Sequence, residues 1–244
     1  MSKISLTYTF YQTLWAGLDL FFPPVCGGCG KKGSIWCLDC QNKVQILNGI
    51  LCEMCGLPQT KQGVCDTCRA DRPHFRALRA WAVFDDPIRT ALHKLKYRRN
   101  ISMGYSLSLQ MNDFVKDLNW PIDMIVPIPL GRKRMRERGY NQVAMIAKPL
   151  AMSLNVHYAP NQLKRRKETR SQVGLSSMER RENVRAAFEA GMGVIGKTVL
   201  VMDDVSTTGS TLSSSAEVLY ASGAKDVFAL TVARALPHHG LRHV

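Results

Sequence analysis

The chain lacks any uninterrupted apolar run of 18 residues, so no segment is predicted to cross a membrane as a helix. Its first 25 residues carry Lys3 as their one basic residue and offer no small-residue cleavage site, so we expect no signal peptide. Acidic residues are scarce beside basic ones, 19 against 33 in 244 residues, and the formal net charge of +14 favours phosphate-bearing partners. The hydrophobic content of 45% excludes wholesale disorder and indicates a globular protein.

Cysteine is absent after residue 68, yet eight cysteines precede that point as four C-x-x-C pairs. The pairs are Cys26/Cys29, Cys37/Cys40, Cys52/Cys55 and Cys65/Cys68. Each pair offers two thiolates from one tight turn, so we predict two structural zinc sites with four cysteines each. Pairing in sequence order and a cross-braced arrangement are both open. A disulfide framework would need an oxidising compartment, and an iron–sulfur cluster is less typical of this spacing. Metal-bound thiolates would lower the net charge to about +10.

The chain divides into three predicted parts. Residues 1–25 are predicted to form an amphipathic helix over residues 5–22 that covers the next module, with a peripheral membrane or partner-docking helix as the alternative. Residues 26–72 are the predicted double zinc ribbon, and residues 73–244 the larger domain. Buried strands and helical patterns in that domain predict an α/β fold with a mainly parallel sheet flanked by helices. The expected strands are 78–84, 122–128 and 199–202, and the expected helices are 87–97, 103–115, 141–154 and 212–220.

The most informative stretch is residues 199–211, Val-Leu-Val-Met-Asp-Asp-Val-Ser-Thr-Thr-Gly-Ser-Thr. Its apolar run predicts a buried parallel strand, so Asp203 and Asp204 should emerge at the carboxyl end, where open α/β sheets bind ligands. Paired carboxylates suit ribose hydroxyls or the hydration shell of Mg²⁺. The turn that follows opens a helix, whose first N–H groups favour a phosphate. The candidate phosphate-binding residues are Ser206, Thr207, Thr208, Gly209, Ser210 and Thr211.

Two other interpretations fit parts of this stretch. The acid pair could simply cap the end of a strand, as an isolated Asp-Asp pair often does. The turn could belong to a nucleotide-binding protein of the Walker A type, but it lacks the required Gly-Lys-Ser or Gly-Lys-Thr ending. The full string therefore favours a sugar-phosphate site.

Basic residues gather in two further segments. Residues 131–139, Gly-Arg-Lys-Arg-Met-Arg-Glu-Arg-Gly, follow an expected strand and are predicted to form a glycine-bounded loop. Arg132, Arg136 and Arg138 would then lie on the same sheet edge as the acid pair and could hold a diphosphate, although a charge run is often only a solvated face. Residues 161–185 carry eight basic and three acidic residues and are predicted to be a mobile loop followed by a short helix.

The acid pair and its turn resemble the phosphoribosyl-pyrophosphate (PRPP) signature of type I phosphoribosyltransferases: a hydrophobic strand, Asp-Asp, and a Thr-Thr-Gly-x-Thr loop. This resemblance implies that Asp203 and Asp204 contact the ribose hydroxyls. It implies that residues 206–211 cradle the 5′-phosphate and that PRPP binds with Mg²⁺.

Motifs along nearly the whole chain resemble the ComF family. They are the four C-x-x-C pairs, Leu95-Lys96-Tyr97, Val126-Pro127-Ile128-Pro129-Leu130, Arg138-Gly139-Tyr140-Asn141-Gln142, Arg166, Thr169 with Gln172, Arg180 with Asn183, and the Asp-Asp loop. The resemblance implies a cytoplasmic protein with a double zinc ribbon joined to a phosphoribosyltransferase-like domain. It further implies a role in natural transformation or in the use of imported single-stranded DNA, with residues 164–180 as a hood over pyrophosphate.

Two classes of function are consistent with these features. An enzyme would displace pyrophosphate from C1 of PRPP, with Asp203 and Asp204 orienting the ribose and arginines of residues 131–139 neutralising the leaving group. A binding protein would sense PRPP or a nucleotide, while its zinc module and basic surface engage single-stranded DNA or a DNA-uptake or helicase-type protein. Aromatic candidates for base stacking are Trp81, Tyr97 and Tyr140, though such residues more often lie in the core.

Overall fold

The computed structural model describes residues 24–166 and 187–236. Within these ranges the strands are β1 (Leu78–Val83), β2 (Met124–Pro127), β3 (His157–Tyr158), β4 (Leu163–Arg165), β5 (Phe188–Ala190), β6 (Thr198–Ser206) and β7 (Asp226–Arg234). Five of them form a parallel sheet in the order β1-β7-β6-β2-β3, and β4 pairs antiparallel with β5 as a separate ribbon. The predicted α/β architecture with a mainly parallel sheet is confirmed.

Helices cover both faces of the sheet. In the described residues they are α1 (Leu38–Asn42), α2 (Asp66–Ala70), α3 (Ile88–Tyr97), α4 (Ser102–Asp117), α5 (Arg132–Arg138), α6 (Gln142–Leu154) and α7 (Ser210–Ala221). One buried cluster joins α3, α4 and α6 to Leu200 and Leu230 of the sheet, and a second joins α7 and the β4–β5 ribbon to Val199 and Ala229. Neighbouring residues of β6 and β7 thus enter opposite layers, as the period of two in a strand requires.

The central strands are apolar because both of their faces are covered. Eight of the nine residues of β7 are buried, and residues Thr198 to Met202 of β6 are all buried. Such near-continuous burial is typical of parallel strands between two helical layers. No helix among the described residues is long and apolar enough to span a bilayer.

The predicted boundaries need two corrections. Strand β6 does not stop at Met202 but continues through the acid pair to Ser206, because β7 pairs with it as far as Arg234. Residues 131–139 are not a loop but the helix α5, which begins after Gly131 and ends at Gly139 in the left-handed conformation. Arginine, lysine, methionine and glutamate are all good helix formers, and that propensity outweighs the charge repulsion along the segment.

Two predicted features fall on residues that the structure does not describe. The amphipathic helix over residues 5–22 lies outside the described ranges, and so does most of the predicted loop and helix of residues 161–185. The described part of the latter is not a loop: after a short 3₁₀ turn, Leu163–Arg165 forms strand β4.

The ribbon module closes the edge of the sheet at β1. The N–H of Leu47 donates to Trp81 O at 3.1 Å, and the N–H of Val83 donates to Gln45 O at 2.8 Å. Farther along the same strand, the N–H of Leu78 donates to Met54 O at 2.6 Å. An exposed strand edge invites pairing with another chain, and here residues of the cysteine-rich module occupy it instead.

Candidate functional site

The acid pair lies where the sheet becomes narrower. Strand β2 pairs with β6 only as far as Pro127 opposite Met202, so among the described strands β7 alone pairs with Asp203 and the residues after it. Asp204 is 5% exposed and Asp203 is partly buried. The N–H of Asp204 donates to Oδ1 of Asp203 at 2.9 Å, which fixes the two carboxylates relative to each other. The expected position at the carboxyl edge is therefore correct even though the strand itself runs on.

A lysine that sequence reasoning did not select completes the acid pair. Lys96, in the last turn of α3, forms an ion pair with Oδ2 of Asp204, and both side chains are largely buried. Its one sequence signal was its place in the Leu95-Lys96-Tyr97 motif. Spacing could not reveal the contact, because 108 positions separate the partners and only the fold brings α3 to this end of β6.

The carboxyl of Asp203 is electrostatically unfavourable in its charged form. Burial raises its pKa well above the usual range, and the negative charge of Asp204 raises it further, while Lys96 opposes both effects. Desolvation and a like charge act in the same direction on a carboxyl group. The site therefore gains from a bound cation or from hydroxyl donors near Asp203.

The turn after β6 leads directly into the N-terminus of α7. Gly209 caps the helix with φ +80°, a left-handed conformation that glycine adopts without strain, and an added Cβ there would lie 3.3 Å from Leu78 Cδ2. The hydroxyl of Thr208 accepts from the N–H of Ser210 at 3.3 Å. The N–H groups of Thr211 and Leu212 have no partner within the helix, as at every helix start.

These residues surround a depression of about 240 Å³ that is open to solvent. It is lined by Asp203, Val205, Ser206, Thr207, Gly209, Ser210, Thr211 and Leu212. The hydroxyl of Ser206 is buried and lies 3.3 Å from that of Thr231, so it supports the base of the depression. The fold thus brings Asp203 together with most of the predicted phosphate-binding residues.

The predicted arginines are placed differently from the acid pair. Helix α5 begins four residues beyond β2, at the same sheet edge. Arg132 and Arg136 are exposed and form no hydrogen bond or ion pair with any residue of the described ranges. Arg138 instead donates to Oε1 of Gln142 at 2.6 Å and lies 4.9 Å from the ring centroid of Tyr97. The arginines and the acid pair therefore share an edge without touching.

The cysteines form two clusters in sequence order. The first cluster is Cys26, Cys29, Cys37 and Cys40, and the second cluster is Cys52, Cys55, Cys65 and Cys68. All eight are free thiols, and within each cluster the Sγ atoms lie within 4.8 Å of one another. The Sγ atoms of Cys26 and Cys40 are 3.6 Å apart, close to the ~3.8 Å that a tetrahedral zinc with Zn–S bonds of about 2.3 Å requires. Both clusters fit zinc, and the cross-braced arrangement is excluded.

Backbone donors prepare the clusters for a metal. Burial raises the pKa of the Cys52 thiol, but N–H groups of Cys65, Cys55 and Met54 outweigh it and lower the pKa to about 6. The N–H of Cys65 lies 3.3 Å from Sγ of Cys52. Metals bind the thiolate form, so these donors favour the state that a zinc ion needs.

One further segment matches the Walker A pattern in sequence but not in structure. Residues 191–198 read Gly-Met-Gly-Val-Ile-Gly-Lys-Thr, the spacing of a Walker A loop, which must follow a strand and open a helix. Here a 3₁₀ turn at Met192–Val194 leads into β6, which begins at Thr198 on the amino edge of the sheet. Thr198 is buried and its N–H donates to Oδ2 of Asp123 at 2.7 Å. The segment therefore leads into a strand and does not form a nucleotide-binding loop.

Comparisons with known sequences match the cysteine-rich module by itself and most of the chain. The double zinc ribbon domain family matches residues 17–69. The DNA utilization protein YhgH of Escherichia coli O157:H7 is 32% identical over 193 residues, which cover 76% of this chain and 85% of that protein. Competence protein F of Haemophilus influenzae is 29% identical over 209 residues, covering 82% of this chain and 90% of that protein.

Similarity to solved structures is weaker. Glutamine phosphoribosylpyrophosphate amidotransferase from B. subtilis is 20% identical with a TM-score of 0.37, covering 57% of this chain and only 26% of that longer chain. A hypoxanthine phosphoribosyltransferase from Staphylococcus aureus is 15% identical with a TM-score of 0.35, covering 58% of this chain and 67% of that one. Similarity at this level assigns no activity or ligand to the chain.

Removal of zinc should unfold the cysteine-rich module. The core of its second half is largely the cysteines themselves with Met54, Leu57 and Val64, which is too small to hold that half together without metal. We expect EDTA to release two equivalents of zinc and to make residues 26–70 sensitive to protease. Limited proteolysis read by mass spectrometry checks this, and continued protection of residues 26–70 in metal-free protein would disprove the zinc assignment.

Neutralising Asp203 should stabilise the ligand-free protein. The raised pKa means that the native state retains the Asp203 proton above the ordinary value of 3.8 while the unfolded chain loses it, so stability falls as pH rises through that window. Asp203→Asn removes this penalty and should raise the free energy of unfolding at neutral pH. The gain should vanish below pH ~4, where both states are protonated.

Chemical denaturation across pH measures the effect. Asp113→Asn on α4 is the matched control, since it changes the net charge equally at an exposed position. Equal stability changes in the two variants at every pH would show that the charged Asp203 carboxylate does not destabilise the native state.

Proposed function

Because the chain belongs to the ComF family of competence and DNA utilization proteins, we propose that its α/β domain binds PRPP with Mg²⁺. The observation that carries the proposal is the acid pair on β6 followed at once by the hydroxyl-rich turn and the N-terminus of α7 around one open depression. Carboxylates for hydroxyl groups and N–H donors for a phosphate are the two demands of a ribose 5-phosphate. This chain supplies both within nine residues.

The phosphate end of the ligand is assigned to the turn. Thr207 and Ser210 line the depression and contribute hydroxyl donors, and the first N–H groups of α7 add backbone donors with the positive end of the helix dipole. Thr208 does not line it, and its hydroxyl donates to Ser210 Oγ at 3.1 Å. Gly209 lets the backbone approach the phosphate closely because it carries no side chain. The buried hydroxyl of Ser206 positions the turn rather than the ligand.

The ribose and diphosphate ends are assigned to charged groups at the same edge. Asp203 and Asp204 accept hydrogen bonds from the ribose hydroxyls, and Mg²⁺, when bound, neutralises the diphosphate. Arg132 and Arg136 have no other partner among the described residues and are free to bind the diphosphate. Arg138 is committed to Gln142 and Tyr97, so we assign it a supporting role.

If the protein turns PRPP over, the acid pair has a second role. The bond from C1 to the diphosphate oxygen breaks, pyrophosphate leaves with the electron pair, and an acceptor forms the new bond to C1. Positive charge develops on the ribose as the bond breaks, and carboxylates fixed beside it stabilise that charge. A protein that binds PRPP without this step would act as a sensor of PRPP.

Calorimetry tests the binding proposal. Wild-type protein should bind PRPP in the presence of Mg²⁺, and the double variant Asp203→Asn with Asp204→Asn should weaken binding by roughly 100-fold or more, because it removes two charged acceptors. Asp113→Asn should bind as wild type. Among the arginines, Arg136→Ala should weaken binding more than Arg134→Ala on the same helix. No binding by wild-type protein would refute the proposal, and pyrophosphate release over a panel of bases and ammonia then separates enzyme from sensor.

A specific surface favours a second function, the binding of single-stranded DNA. The ring of Tyr97 is 61% exposed, with Arg138 on one side and the His93 ring 4.8 Å away, next to the exposed basic face of α5. An exposed aromatic ring beside arginines is a stacking platform for bases. The other two aromatic candidates are occupied: Trp81 is buried, and the Tyr140 hydroxyl donates to Leu95 O.

Fluorescence anisotropy with labelled oligonucleotides tests this surface. Basic charge alone gives salt-sensitive binding to any polyanion, whereas stacking adds a contribution that salt does not screen. Tyr97→Ala should weaken binding of single strands at moderate salt, and Tyr105→Ala on α4 serves as the tyrosine control. Equal loss of affinity in both variants, or none in either, would reject the stacking platform.

A further inference from the structure

The largest fully buried side chain among the described residues is an arginine. Arg234, the last residue of β7, is 2% exposed. Its Nη1 donates to the carbonyl oxygen of Cys55, and its Nε has no hydrogen-bond partner within the described ranges. Burial lowers the pKa of the guanidinium, and the thiols of the second cluster act in the opposite direction. A buried cation is costly unless a negative charge compensates it, and the second cluster is the compensating group.

A second arginine from the sheet approaches the same cluster. Nη1 of Arg79, on β1, donates to Cys52 O at 3.3 Å and to Glu53 O at 3.2 Å. Burial lowers its pKa as well, and Cys52 and Cys55 oppose that effect. Both arginines therefore belong to the α/β domain, while the ligands they accompany belong to the ribbon module.

The charges balance at the second cluster. Zinc with four thiolates carries a net charge of −2, and two guanidinium groups neutralise it. The cations beside the first cluster are lysines instead: Lys31 is exposed and ion-paired with Asp39, and Lys94 donates to Cys26 O at 3.3 Å. The two clusters thus have the same ligands but different surroundings.

The backbone of Arg234 reaches the candidate ligand site. Arg234 is the register partner of Ser206 on β6, and the N–H of Ala235 donates to Ser206 O at 3.0 Å. Ser206 in turn lines the depression beside the acid pair. A group that fixes the end of β7 therefore also fixes the end of β6, where the turn to α7 begins.

We propose that Arg234 is the countercharge that retains metal in the second cluster, and that through this contact the bound metal holds the ends of β7 and β6 beside the candidate ligand site. Arg79 contributes the second positive charge. The role is one of positioning, since Arg234 acts on the metal through the charge it places beside the thiolates and on the turn through Ser206. It does not depend on which ligand the turn binds.

The order of metal loss in the wild-type protein gives the first test. Zinc-loaded protein is challenged with EDTA for increasing times, and released thiols are alkylated and mapped by mass spectrometry. Cys26, Cys29, Cys37 and Cys40 should be alkylated before the second cluster, whose charge is neutralised. Earlier or simultaneous alkylation of the second cluster would overturn the proposal, and this test needs no variant to fold.

Substitutions of Arg234 give the second test, with zinc release followed by a pyridylazo-resorcinol indicator. Arg234→Met should release one of the two zinc equivalents roughly 10- to 100-fold faster than wild type and leave the other unchanged. Arg234→Lys keeps the charge and should restore much of the retention. Arg76→Met is the matched control, because Arg76 is exposed and is ion-paired with Asp226 at the opposite end of β7. Wild-type release from folded Arg234→Met would refute the role, and equal release from the lysine and methionine variants would refute its electrostatic basis.

Hydrogen exchange tests the connection to the turn. Loss of metal from the second cluster should speed exchange of the Ala235 amide, which is hydrogen-bonded to Ser206 O. The Gly196 amide, bonded to Gly223 O at the other edge of the sheet, should exchange at an unchanged rate. Unchanged exchange at Ala235 after demetallation of the second cluster would show that metal does not hold the strand ends.

Discussion

The candidate site depends on one constraint, the unequal length of adjacent parallel strands. Strand β6 has nine residues and stays paired with β7 to its end, whereas β2 leaves the sheet after four. The last four residues of β6 therefore have a free side toward the position that β2 would have occupied. Asp203 and Asp204 occupy that overhang, which is why they can meet a ligand while their backbone remains held in the sheet. Pairing with β7 keeps this part of β6 rigid, and the early end of β2 leaves its side chains accessible.

That arrangement creates an electrostatic imbalance that a bound cation or hydroxyl donors near Asp203 would relieve. Lys96 pairs with Asp204 and leaves Asp203 beside a negative neighbour in a partly buried position. Preorganised charge of this kind lowers the stability of the ligand-free protein, and binding of a complementary group restores that stability. The basic residues that dominate the chain do not remove the imbalance, because the exposed arginines of α5 share the edge without touching the acid pair. This imbalance supports the proposal of a ligand that offers hydroxyl groups to Asp203.

Sequence patterns could predict those features that depend on near neighbours. Four C-x-x-C pairs were enough to predict two metal clusters, and the apolar run before Asp203 was enough to predict a buried strand at the ligand edge. The length of β6 could not be predicted, because it depends on how far β7 pairs with it, which is as far as Ser206 opposite Arg234. Lys96 and Arg234 were missed because each meets its partner across more than 100 positions. Helix α5 was wrongly predicted as a loop because charge and flanking glycines were given more weight than helix propensity.

The cysteine-rich module is held against the sheet by hydrogen bonds as well as by the chain that joins them. Its residues pair with β1 along the edge, and the carbonyl groups of its second cluster bind Arg79 and Arg234 from within the α/β domain. The first cluster packs on the helical layer, where Gly28 is required because an added Cβ would lie 2.6 Å from Cys40 Sγ and 2.8 Å from Pro87 Cβ. The module therefore bonds to β1 and to Arg234 of β7, the strand next to β6. A partner that bound the ribbon would act on a surface one strand away from the acid pair.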